Sequence, residues 1–250
     1  MALGQQNRYA TVNRGRTIDR AEIDVGLRQH MLGVYNYMAT GLAISGLVAW
    51  IIANVPAVRQ VFYTTVEGQV VGLSGLGMIG IFAPLALLFI GMFTMRTARA
   101  STVQALYWAY VALQGIGLSV LLQVYTGESV VRVFFITAAA FAGLSLYGYT
   151  TKRNLSAFGS FLMMGLIGLL IAMVVNIFVA SSMLQFVISA AGVLIFAGLI
   201  AYDTQAIKEM YVDGMDSEVQ TKTSVMGAWM LYISFLNLFQ FLLMFLGNRE

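Results

Sequence analysis

The chain has 250 residues, 59% of them hydrophobic and 10% charged, with a mean hydropathy of +0.81 and a formal net charge of +3. That composition excludes an ordinary soluble domain, whose charged share is about a quarter. The absence of cysteine excludes a disulfide framework, a thiol nucleophile and a thiolate metal site. The basic residues are scattered beside apolar stretches without a stripe or stacking platform, which speaks against a nucleic-acid interface.

In chain order, a basic tail over residues 1–30 carries Arg8, Arg14, Arg16, Arg20 and Arg28. Its part 18–28, where Asp19, Glu22 and Asp24 moderate the charge, is read either as a surface-lying amphipathic helix or as disordered chain. The first apolar run is too long for the h-region of a signal peptide and is read as a retained helix. His30, the sole histidine, precedes that run and is expected to be solvated or interfacial.

Seven apolar spans follow at 32–53, 72–94, 102–123, 131–150, 157–179, 184–205 and 225–246. Each is far longer than the 9–11 residues of a membrane strand, and about 20 helical residues cross the roughly 30 Å hydrocarbon core. The fold class is therefore an all-α integral membrane protein, a seven-transmembrane-helix bundle forming one domain over 31–247, with a short terminal tail at 248–250. The connection 54–71 holds Val61, Phe62, Tyr63 and Val66 and is expected to sit partly at the outer interface.

Eleven basic residues fall in the tail and in the gaps after spans two, four and six, the latter holding Arg96, Arg99, Lys152, Arg153, Lys208 and Lys222. The opposite side receives only Arg59, Arg132 and Arg249. This asymmetry places the amino terminus in the cytoplasm and the carboxyl terminus outside. The expected location is the cell inner (plasma) membrane, and a monomer is the default because no long coiled segment demands assembly.

Asp203 is the one acidic side chain inside the long apolar stretches. A carboxylate at membrane depth costs about 2.5–3.5 kcal/mol on insertion scales, so it normally faces the bundle interior, a partner or a water-filled path. On span six it shares a face with Phe196 and Leu199 toward the outside and Ile207 toward the cytoplasm, below an apolar column able to close a pore. Span seven presents Met230, Ser234, Asn237 and Phe241 on one stripe, so a hydroxyl and an amide are available to the carboxyl group.

Ionised, Asp203 offers acceptor oxygens to a cation, to Arg96 or to a neighbouring donor; protonated, it becomes a donor itself. The expectation is a proton-sensitive gate. The competing reading is a structural residue that closes local hydrogen bonds near the helix end, where Thr204 and Gln205 meet the interface. One carboxylate falls short of the six to eight oxygens of a calcium cage, so a metal contact at Asp203 is expected to be transient and of low affinity.

Asn176, Gln185 and Gln114 are read as interhelical or interfacial hydrogen-bonding residues before path-lining ones, and Asn36 and Thr137 more so. Gly72-Leu73-Ser74-Gly75 resembles the nucleophile sequence of an intramembrane serine protease, but His30 lies toward the other side of the membrane from Ser74. Span seven has no lysine for a retinal Schiff base, and no phosphate-binding loop or metalloprotease motif is present. No enzymatic activity and no cofactor are expected.

Three stretches carry a family resemblance: Gly198-Leu199-Ile200-Ala201-Tyr202-Asp203-Thr204-Gln205, Leu231-Tyr232-Ile233-Ser234-Phe235-Leu236-Asn237-Leu238-Phe239, and Ser145-Leu146-Tyr147-Gly148-Tyr149-Thr150-Thr151-Lys152-Arg153. From about His30 to Gly247 the chain resembles the Bax inhibitor-1 family, also called the transmembrane BAX inhibitor motif family, in its bacterial YccA/YetJ-like branch. The resemblance implies seven helices with the last near the bundle centre, and a pH-sensitive calcium leak. It implies that Asp203 acts in gating and proton sensing, and that Ser234 stands where many members carry a second aspartate. The resemblance also implies that Arg96 stands for the basic partner on the second helix of relatives that form a latch.

With one carboxyl in place of two, a shared proton is not available in the same way. The leading expectation is a passive, proton-modulated cation channel or leak, with calcium as the permeant ion. The alternative is a noncatalytic regulator of membrane protein quality control, since some bacterial relatives modulate the membrane protease FtsH.

Overall fold

The computed structural model describes residues 3–66, 69–95 and 97–248, with side chains from Val25 onward. The chain runs through α1 (Leu3–Asn54), a short α2 (Pro56–Phe62), a hairpin of β1 (Tyr63–Val66) and β2 (Gln69–Leu73), then α3 (Gly75–Thr94), α4 (Ala100–Val124), α5 (Gly127–Thr150), α6 (Ser156–Val179), α7 (Ser182–Glu209) and α8 (Ser217–Leu246). Among the described residues, seven helices are long and apolar enough to cross a membrane, the first over Val25–Asn54. The molecule is an all-α membrane-spanning bundle.

α8 is the hub. In its most apolar stretch 61% of residues are buried, against 33% or less in every other span, and it packs on α1, α4, α5 and α7. Its sequence explains the position: Leu231, Tyr232, Leu236, Leu238, Phe241 and Leu243 are all buried and spread over more than half of the helix circumference, wider than the single apolar stripe of a surface helix. α3 leans mainly on α4, and α6 on α7, so both lie at the periphery.

The connection after α1 differs from the expected start of span two at residue 72. Tyr63–Val66 and Gln69–Leu73 pair antiparallel with a register shift between Thr64 and Thr65, which delays the helix to Gly75. The β-branched run Thr64, Thr65, Val66, Val70 and Val71 favours extended backbone. Tyr63 anchors the hairpin: it is buried, and its hydroxyl is 2.7 Å from Ser119 Oγ on α4. Val61, Val66 and Val71 remain exposed. Ser74 caps α3, accepting from Gly77 N at 3.1 Å while its hydroxyl donates to Val61 O at 2.6 Å.

At the opposite end the first turns of α8 dock on the connection between α3 and α4. Glu218 accepts from Ala100 N at 3.2 Å and Lys222 Nζ donates to Ala98 O at 3.0 Å. Arg96 belongs to this connection and lies outside the described residues.

His30 corrects the expectation of a solvated or interfacial residue. It is 1% exposed, with Nδ1 3.2 Å from Ser224 Oγ on α8 and its ring tilted against Tyr211 at a centroid distance of 5.8 Å. α1 already packs on α8 at that depth, so the imidazole enters the bundle before the fully apolar run begins.

Candidate functional site: a buried aspartate between two helices

Asp203, Thr204 and Gln205 are consecutive and all buried. Successive helical residues are rotated by about 100°, so the three side chains fan out around α7 and meet three different parts of the bundle. Asp203 Oδ2 accepts from Ser234 Oγ on α8 at 2.6 Å. Thr204 Oγ1 lies 3.1 Å from Ser145 Oγ on α5, which in turn lies 2.7 Å from the Tyr35 hydroxyl on α1. Gln205 Oε1 accepts from Leu155 N at 2.7 Å, and its Nε2 donates to Arg153 O at 2.9 Å, tying α7 to the connection before α6. Thr204 and Gln205 thus do not meet the interface as expected; they are core hydrogen-bonding residues.

The Asp203–Ser234 contact has the length of a charge-assisted hydrogen bond. Asp203 stands six residues before the end of α7, about 9 Å along the axis. About 10 Å further along α7 toward its start, the Phe196 ring stacks on Phe241 of α8, with centroids 5.7 Å apart and planes 22° apart. Leu199, between them in the sequence, is buried as well. The carboxyl group therefore sits at the end of an apolar seam made by Leu199 and the Phe196–Phe241 stack.

Close backbone approach makes this geometry attainable. A Cβ on Gly148 of α5 would stand 2.2 Å from Ala201 O of α7, so only glycine lets α5 come near enough for Ser145 to reach Thr204. Gly192 plays the equivalent part beneath Phe241, whose ring atoms would lie 2.5 Å from an added Cβ.

Asn237 shares the Ser234 stripe but does not join the pair; its Nδ2 donates to Ile233 O at 2.9 Å on its own helix. Asn176 Nδ2 donates to Gln185 Oε1 at 3.2 Å, the interhelical bond expected of both. Thr137 is buried and donates to Val133 O at 2.8 Å. Ser74 is occupied in capping. Among the described residues no group of three or more His, Asp or Glu side chains stands ready to hold a metal ion, so a cation at Asp203 would need water or backbone oxygens for its remaining ligands.

Sequence reasoning missed two polar contacts. One is the Tyr35–Ser145–Thr204 chain just described. The other centres on Ser45, fully buried in α1, whose hydroxyl lies 2.6 Å from Val111 O and 2.5 Å from the Tyr232 hydroxyl. Single serines and tyrosines are too common in membrane helices to stand out alone, although Ser145, Thr204 and Tyr232 fall inside the three stretches that carry the family resemblance.

The fold and site define a polytopic helical membrane protein with an acidic residue paired between its last two spans. Residues 27–250 match the family described as "Inhibitor of apoptosis-promoting Bax1", and the chain belongs to that Bax inhibitor-1 family. It is 52% identical over 246 residues to a protein of Caulobacter vibrioides, covering 95% of this chain and 98% of that one. It is 43% identical over 240 residues to a protein of Rickettsia prowazekii, covering 96% of each. Against the inner membrane protein YbhL of Escherichia coli K12 the identity is 41% over 227 residues, or 90% of this chain and 94% of that one. The protein is accordingly a multi-pass protein of the inner (plasma) membrane.

Proposed function

We propose that the protein is a passive, proton-modulated cation leak, with calcium as the permeant ion, gated by the Asp203–Ser234 pair between α7 and α8. The observation that carries this reading is a carboxyl group inside a membrane bundle held by one serine hydroxyl at 2.6 Å. Buried acids of this kind mark ion pathways and proton relays. Membership in a family with a general ion-modulating membrane role agrees with it.

The ionised carboxylate accepts a strong hydrogen bond from Ser234 and holds α7 against α8. Protonation replaces this charge-assisted bond by a weaker neutral one, so acidification loosens the contact and raises the leak. Phe196 and Phe241 form the second barrier, an apolar plug that excludes hydrated ions while the helices stay together. Charge asymmetry puts the Asp203 end of α7 on the cytoplasmic side, so the gate responds to cytoplasmic pH.

The test is calcium entry into liposomes containing the purified chain, followed from mildly acidic to mildly basic pH. Wild-type flux rises toward acid; Asp203→Asn, which resembles the neutral form, gives flux fixed near the acid level at every pH. A wild-type flux indifferent to pH would remove the gate. Absence of flux from folded, inserted protein would leave the regulator of a membrane protease as the better reading.

A further inference from the structure

Two apolar cavities lie end to end between α1 and α5. The first, about 660 Å³, is bordered by Arg28, Tyr35 and Leu42 of α1 and by Phe134, Ala142 and Tyr149 of α5, with Phe235 of α8 also lining it. The second, about 320 Å³, continues to Trp50 and shares Leu42 and Phe134 with the first. The seam exists because α1 packs on α4 and α8 while α5 packs on α7 and α8, leaving the two outer helices scarcely touching each other. At hydrocarbon depth such a seam fills with apolar chains, since water there would face almost no hydrogen-bonding partner.

The lining of the larger cavity is graded. Among the described residues its one charged side chain is Arg28, exposed at the mouth. The hydroxyls of Tyr35 and Ser145 are taken up by each other at 2.7 Å and, for Ser145, by Thr204 at 3.1 Å, so the wall beyond the mouth is effectively apolar. Behind Tyr149 stands a second cation: Lys208 Nζ donates to Tyr149 O at 2.8 Å and lies 5.3 Å from the centre of its ring. From Arg28 to Leu42 the helix rises about 21 Å. That matches one leaflet with its headgroup region, roughly half of the 40–45 Å bilayer.

We propose that this cavity is a binding site for one anionic phospholipid, its phosphate at Arg28 and an acyl chain running along α1 and α5 toward Leu42. The length, the single positive mouth and the apolar interior fit a lipid better than a protein helix, which would need no charge at one end. The site is separate from the Asp203–Ser234 pair and stands without the leak proposed above. A juxtamembrane basic residue is worth about 1 kcal/mol toward an anionic surface, a preference of about fivefold.

The experiment is native mass spectrometry of the purified full chain from detergent holding equal phosphatidylglycerol and phosphatidylcholine. The wild type is expected to retain one phosphatidylglycerol about fivefold over phosphatidylcholine. Arg28→Gln brings the two lipids to near parity. Ala142→Trp and, from the facing wall, Ala39→Trp retain neither; both alanines are exposed, so each variant keeps the wild-type unfolding temperature without added lipid.

Equal retention of the two lipids by the wild type, or an unchanged preference in Arg28→Gln, would overturn the proposal. So would undiminished lipid in both tryptophan variants. Inorganic phosphate that displaces phosphatidylglycerol completely would reduce the site to an anion contact. A dimer lost in Ala142→Trp, with no lipid on the wild type, would assign the groove to a second copy.

Discussion

Ser234 Oγ on α8 and Asp203 Oδ2 on α7 are 2.6 Å apart and buried, 31 residues distant in the chain. In many relatives, the family resemblance implies, the Ser234 position holds a second aspartate. A hydroxyl there keeps a hydrogen bond across the two helices but leaves one titrating group in place of a coupled pair.

Removing the hydroxyl isolates the carboxyl group. Ser234→Ala is expected to lower stability by about 1–3 kcal/mol, the cost of a buried acceptor left without its donor, seen as a reduced unfolding temperature in detergent. On the gate proposed here its calcium flux at neutral pH rises to the acid level of the wild type.

Ser234→Asp sets two carboxyl groups at hydrogen-bond distance. Two such groups titrate as a pair with separated macroscopic steps, so the flux against pH should broaden into two phases where the wild type shows one. A single unchanged phase would argue that residue 234 does not communicate with Asp203.

The Phe196–Phe241 stack makes a different prediction. Phe196→Leu keeps an apolar side chain but loses ring contact, and the leak is expected to rise at all pH values with the midpoint of its pH response unmoved. Flux assays across the same pH series separate this from a change at the carboxyl group.

Gly148→Ala tests the helix contact that supports the site. Because the new Cβ would meet Ala201 O at 2.2 Å, α5 must move away, with an expected loss of about 1–3 kcal/mol. Thr204→Val, which removes the Ser145 partner without changing shape much, should cost only about 0.6 kcal/mol, the mean for hydrogen bonds between membrane helices. Thermal unfolding in detergent ranks the two variants, and a larger loss in Thr204→Val would reverse their assigned roles.

The spans, and Asp203 as the residue to examine, were legible in the sequence because the bilayer imposes two strong local rules. A crossing helix must be long and apolar, and an acid within it is costly enough to stand out against that background. Hydrophobicity along one strand of sequence carries both signals. The hairpin at 63–73 was less legible, since its valines and threonines continue the apolar run into α3 and only pairing separates them.

Which side chains meet was decided by the tertiary structure. Ser234 and Asn237 share a stripe in the sequence, yet the hydroxyl crosses to α7 while the amide turns back to Ile233 O. His30 reads as a residue outside the membrane domain and is buried against Ser224. The 145–153 and 231–239 stretches meet the third, on α7, through Ser145, Arg153 and Ser234. Local composition fixes a helix and its depth in the membrane, but rotation about each axis and the spacing between helices depend on contacts such as Gly148 against Ala201, which exist only once distant parts of the chain have packed.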